Sequence, residues 1–131
     1  MSRYALLSVA VGAVLGAWLR WWLGNQLNSG FPALPLGTLA ANLIGGYIIG
    51  LAMEYFARHA ILRPEARLFV ITGFCGALTT FSTFSAEAIT LLSEQQYGWG
   101  LVHTASHLFG SIAMTVLGIL TVRGFQVYGR Q

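Results

Sequence analysis

Ten consecutive residues, Gly76 to Ser85 (GALTTFSTFS), carry five hydroxyl side chains and two phenylalanines inside an apolar segment running from about Arg67 to Leu92. Hydroxyls in a membrane helix ordinarily serve as glue between helices. So many of them beside glycine predict a helix whose backbone opens near mid-membrane, which lipid tolerates only where protein or a water-filled path covers the freed groups. Phe81 and Phe84 fall one turn apart within that run. An aromatic ring has a negative face and a positive edge, so ring edges solvate an anion and ring faces attract a cation. Phenylalanines in a membrane helix by default face lipid or core, but their place among the hydroxyls favours contact with an ion. The implied chemistry is transport.

Other polar residues inside apolar segments extend the argument, because a central Arg or Asp costs about 2.5–3.5 kcal/mol unless it faces a bundle interior or an aqueous cavity. Arg20, Asn42 and Glu87 are the deepest of these. Arg20 shares a helix face with Gly12 and Gly16, at steps of four residues. Either it snorkels to the interface while the glycines pack a neighbouring helix, or it lines a vestibule that gathers anions. Asn42 shares a face with Thr38, Gly46 and Gly50, and its amide supplies two donors. Thr79, Thr83 and Glu87 follow one face, with Ser82 beside them, and His103, His107, Ser111 and Thr115 form a stripe along another segment. A His pair at that spacing suits zinc, yet no Cys, Asp or third His stands nearby to complete a site, so the stripe reads as a face lining a watery path.

Donors therefore outnumber carboxylates, which suits a small anion. No Ser-His-Asp set, metal-ligand cluster or nucleotide loop is visible, so the chain reads as a non-enzyme. Cys75 is solitary, which excludes an internal disulfide.

The elements that must position these residues follow from composition. Of 131 residues, 56% are hydrophobic and 8% charged, against about 25% charged in an ordinary soluble domain. A span needs about 20 apolar residues, and four fit: roughly Tyr4 to Leu23, Leu36 to Phe56, Leu68 to Leu92 and Leu101 to Val122. The expectation is an all-α membrane protein of one four-helix domain, residues 1–131, with the third helix broken. The first span is too long, and lacks a small-residue cleavage site, for a signal peptide. Trp18, Trp21, Trp22 and Trp99 suit an aromatic belt at one surface. Pro35 is placed to open the second helix, and Pro64 interrupts the basic second loop. Arg3, Arg58, Arg63, Arg67, Arg123 and Arg130 collect on one side, against Arg20 on the other, which predicts cytoplasmic termini. The net charge of +3 is thus a topology signal and not a sign of nucleic-acid binding.

Across essentially its whole length the chain resembles the Fluc, or CrcB, family of fluoride channels. The resemblance rests on Gly37 to Gly46 (GTLAANLIGG) and Gly73 to Ser85 (GFCGALTTFSTFS), which fit the patterns G-T-x-x-x-N and G-x-x-T-T-F-S-T-F. It implies a passive, highly selective fluoride channel of the bacterial inner membrane, exporting fluoride from the cytoplasm. A membrane potential negative inside drives an anion outward by roughly 2.3 kcal/mol per 100 mV, so no pump is needed. The resemblance also implies an antiparallel, dual-topology homodimer with two pores, each lined by both subunits, and a structural sodium ion at its centre. Phe81 and Phe84 would then meet fluoride with their edges, and Asn42 would donate to the same ion. Gly76 and Thr79 would give backbone carbonyls to sodium. Ser82, Thr83 and Glu87 would form a polar track, joined by Ser111 and Thr115, with Arg20 in the vestibule. His107 stands where some relatives would carry a pore-lining aromatic. The arginine bias conflicts with insertion in both orientations. Two further readings are a small proton-coupled multidrug exporter, which resembles this chain poorly because it relies on a first-helix carboxylate, and a non-transporting membrane scaffold.

Overall fold

The computed structural model describes residues 3–59 and 63–128, all helical apart from short connections. Arg130, counted above with the basic residues near the termini, lies outside the described residues. Helix α1 (Arg3–Leu27) ends in a 3-10 turn, Asn28–Gly30, and α2 spans Leu36–Arg58. The next element opens as α3 (Pro64–Arg67), continues as a π-helical stretch, Leu68–Cys75, and closes with α4 (Gly76–Leu78). Helix α5 (Phe81–Ser93) and α6 (Tyr97–Tyr128) complete the chain. Four segments are long and apolar enough to cross a membrane: Arg3–Gly30, Leu36–Arg58, Pro64–Ser93 and Tyr97–Phe125.

The helices overrun the apolar runs that predict them. Backbone hydrogen bonding does not require apolar side chains, so α1 continues past Leu23 and α6 begins before Leu101 and passes Val122. At 1.5 Å per residue the 32 residues of α6 cover about 48 Å, more than the hydrocarbon core of about 30 Å. Proline sets two starts, since Pro35 immediately precedes α2 and Pro64 is the first residue of α3. Pro35 has no side-chain acceptor with which to cap α2. Asn28 performs that service from the preceding turn, its Oδ1 accepting from the N–H groups of Gly37 (2.8 Å) and Thr38 (3.1 Å).

Two close helix pairings build the body. Helix α1 lies along Leu68–Cys75, and α2 lies along α6. Both depend on glycine. A Cβ on Gly16 would strike the Phe74 carbonyl, and one on Gly50 would strike the Thr115 carbonyl. Leu23, Ala41 and Leu78 form the buried core where α1, α2 and α4 meet. At one end of the bundle Phe31 packs edge-on against Trp99, 5.2 Å between centroids, which sets the first loop beside the start of α6. At the other end Glu54 accepts from Arg58 (2.6 Å) and from Arg123 Nη2 (3.1 Å), tying α2 to α6. Helix α5 packs chiefly on α6 and leaves Phe81 79% exposed.

Gly50→Ala is expected to destabilise the fold by about 1–3 kcal/mol, because a methyl group there meets backbone that cannot step aside. Gly124→Ala, where nothing lies within 4 Å, is expected to be near neutral. Thermal loss of the monodisperse species on size exclusion measures both, and equal midpoints would refute the close-packing account.

Candidate functional site

The site is organised by two residues, Thr79 and Thr80, that lie between α4 and α5 in extended conformation (φ −77°, ψ 153° and φ −149°, ψ 118°). Thr80 is 6% exposed, so its peptide groups need partners from protein. Asn42 supplies both: its Oδ1 accepts from the Thr80 N–H (2.8 Å), and its Nδ2 donates to the Thr80 carbonyl (3.1 Å). The Thr80 hydroxyl caps α5, accepting from the Thr83 N–H (3.1 Å), donating to Thr83 Oγ1 (3.0 Å) and lying 3.2 Å from Ser82 Oγ.

These bonds redirect donors that an unbroken helix would spend elsewhere. In an α-helix the Thr80 N–H would serve the Gly76 carbonyl, and the Thr83 N–H would serve that of Thr79. Here they go to Asn42 and to the Thr80 hydroxyl. The carbonyls of Gly76 and Thr79 are therefore released from their α-helical partners. The Thr79 hydroxyl turns back on its own helix and donates to the Cys75 carbonyl (2.9 Å).

An open groove of about 700 Å³ runs beside the interruption, lined by Asn42, Gly76, Thr79, Phe81, Phe84 and Ser111, among others. The Phe81 and Phe84 rings lie 5.4 Å apart at 50°, within the range of paired aromatic rings. Phe84 is also flanked by His103, stacked at 5.2 Å and 13°, and by His107 at 5.0 Å.

A series of neighbouring polar side chains leads away from the groove. His107 Nδ1 lies 3.0 Å from Asn42 Nδ2, and the His103 and His107 rings are 4.5 Å apart. His103 Nε2 sits 3.3 Å from the Phe84 carbonyl and 3.7 Å from Glu87 Oε2. Thr38 donates its hydroxyl proton to Glu87 Oε1, and Asn28 Nδ2 donates to Thr38 at 3.4 Å. Glu87 Oε2, His103 Nδ1 and His107 Nε2 are buried without a hydrogen-bond partner among the described residues.

The structure thus brings together Asn42, Phe81, Phe84, Ser82, Thr83 and Glu87, with Gly76 and Thr79 at the start of the interruption and Ser111 across the groove. Thr79 does not continue the Thr83–Glu87 face, because the extended residues interrupt the helical period. Thr115 turns its hydroxyl to the Ser111 carbonyl (2.9 Å) and packs against Gly46, outside the groove lining. Arg20 stands apart on α1, half-buried and without a hydrogen bond or ion pair to another described residue, and Gly12 and Gly16 pack against the third span. Sequence reasoning missed Thr80 and Asn28, and it named Glu87 without its neighbours Thr38 and His103. Glu87, His103 and His107 each bring a ligand atom within 4.8 Å of the others, so the third ligand absent from the local sequence arrives from another helix.

Comparison with known proteins places the chain among close relatives. The family model described as CrcB-like protein, Camphor Resistance (CrcB), matches residues 7–119. A protein from Nitrosospira multiformis named fluoride-specific ion channel FluC is 64% identical over 123 residues, 94% of this chain and 96% of its own length. Proteins of the same name from Acinetobacter baumannii and Pseudomonas putida are 58% and 57% identical, covering 90% and 89% of this chain and 93% and 92% of their own. With the family model matching residues 7–119 and similarity along nearly the full length of such relatives, the chain belongs to the CrcB-like family.

Proposed function

We propose that this chain forms a passive, fluoride-selective channel in the bacterial inner membrane, carrying fluoride out of the cytoplasm down the membrane potential. The observation that carries the reading is the groove in which the Phe81 and Phe84 rings stand beside an amide and hydroxyl groups, with no carboxylate in its lining. That set suits an anion small enough to be resolvated by a few donors and ring edges. The names of the relatives support fluoride as the ion.

The working unit is an antiparallel homodimer. Support comes from Phe81, 79% exposed on the groove side of a helix that has little cover of its own. A second copy would close the groove and complete each of two pores. The interruption at Thr79–Thr80 then lies near mid-membrane, at the two-fold axis. The released carbonyls of Gly76 and Thr79 are hard oxygen donors, and with their counterparts they would hold a sodium ion that neutralises them in a dry interior. Asn42, Ser82, Thr83, Glu87, Ser111 and Thr115 accompany the ion path, and Arg20 serves its vestibule. Arg58 and Arg123 are both engaged by Glu54, yet orientation follows arginine number more than net charge, so the bias remains a direct test of dual topology.

Three outcomes are expected. Liposomes holding the purified protein release fluoride rapidly and chloride negligibly, read by ion electrodes, and Phe81→Ile or Phe84→Ile brings fluoride release to background while the protein still elutes as a folded species. Wild-type rates in either variant would return these rings to a packing role. Exchange of sodium for N-methylglucamine during purification lowers both flux and thermal stability, and returning sodium restores them; indifference to sodium would remove the ion from the structure. Reporter fusions at the C-terminus give activity on both sides of the membrane, and activity on the cytoplasmic side alone would sink the dual-topology arrangement.

A further inference from the structure

The bonds that hold the interruption also fix the chemical state of His107. Asn42 cannot turn its amide over without losing both of its bonds to Thr80, so the atom it presents to His107 Nδ1, at 3.0 Å, is an N–H group. Nδ1 must accept. A neutral imidazole that accepts at Nδ1 carries its proton on Nε2. Adding a second proton would set N–H against N–H on a side chain only 5% exposed. The titratable groups that share this region are His103, one turn earlier on α6, Glu87 from α5, and Cys75, which lines the same groove from the third span; α2 presents the non-titrating Asn42.

His107 Nε2 is buried and has no partner among the described residues, and Glu87 Oε2, the nearby carboxylate oxygen, forms no hydrogen bond either. A buried N–H without an acceptor is unfavourable, so the position calls for an acceptor that the described residues do not supply. Building on the channel reading above, we propose that His107 is a specificity-determining residue, held neutral as the Nε2–H tautomer and offering that proton to fluoride as it passes the Phe84 ring. The ring centroids are 5.0 Å apart, and both side chains line the same groove. The same proton argues against a divalent metal at Glu87, His103 and His107, although their ligand atoms lie within 4.8 Å of one another. A metal takes an imidazole lone pair, and the lone pair of His107 is committed to Asn42.

The test is long-range proton–nitrogen correlation spectroscopy on the full chain, labelled with nitrogen-15 at histidine and held in lipid nanodiscs. The expected result is a protonated Nε2 and a bare Nδ1 on His107 from about pH 5.5 to about pH 8, where free histidine titrates. The Nε2–H signal is expected to shift with sodium fluoride and not with sodium chloride. A proton on Nδ1, titration within that window, or indifference to fluoride would each overturn the assignment. So would zinc chloride binding stoichiometrically with loss of the Nε2–H signal. In liposomes His107→Tyr, which keeps a donor, is expected to retain flux within a few-fold, whereas His107→Phe lowers it about ten- to a hundredfold. Absence of fluoride release from the wild-type protein would sink the channel reading itself. Intact wild-type release with the wrong tautomer would sink this inference alone.

Discussion

The peptide groups of Thr80 sit where neither water nor a continuing helix meets them, and the centre of the molecule is arranged around their capture by Asn42. Each such group left unmet in hydrocarbon costs several kcal/mol. An asparagine side chain is itself an amide, with one acceptor and two donors in a plane, so it answers both the N–H and the C=O of one residue. Aspartate would lack the donor. Because Asn42 belongs to α2 and its remaining N–H reaches His107, one amide joins α2, the third span and α6. The release of the Gly76 and Thr79 carbonyls follows from the same diversion of backbone donors.

Such a clasp works only if α2 lies at hydrogen-bond distance from both neighbours. Glycine sets that distance, since the approach at Gly50 leaves no room for a methyl group and Gly45 faces Thr79 directly. Small residues that let backbones approach are the usual means of packing membrane helices, where apolar burial supplies no net drive between helices. Packing and site geometry are therefore one constraint along α2, whose Thr38, Asn42, Gly46 and Gly50 share a face.

That shared face was legible in the sequence, as were the four spans, the unusual run at Gly76 to Ser85 and the pairing of Phe81 with Phe84. Each is a local pattern, visible through spacing. The clasp itself was not legible, because Asn42 and Thr80 are 38 residues apart and nothing local says which backbone group a buried amide meets. Glu87 joins Thr38 across 49 residues and approaches His103 from a different helix, so the His pair read alone lacked its neighbour. The capping of α2 by Asn28 escaped notice for a related reason: a cap is sought at the residue before the helix, and here that residue is Pro35. Arg20 divides differently. The packing of Gly12 and Gly16 against the third span was one of two open readings, and the structure satisfies it without giving the guanidinium a protein partner among the described residues.

The distribution of charge bears on why the groove beside the interruption is lined by neutral donors. A fixed cation at the middle of a dry path would bind fluoride too well, whereas conduction needs an ion to enter readily and also to leave. The groove lining holds no arginine and no carboxylate among the described residues, and Arg20 stands toward the end of α1 beside Trp21 and Trp22, away from that lining. Between those positions the ion would pass an amide, hydroxyls, ring edges and a histidine whose charge the Asn42 bond suppresses. None of these is a strong site alone. Selectivity then comes from the number and placement of donors, which a larger halide would meet at the wrong distances.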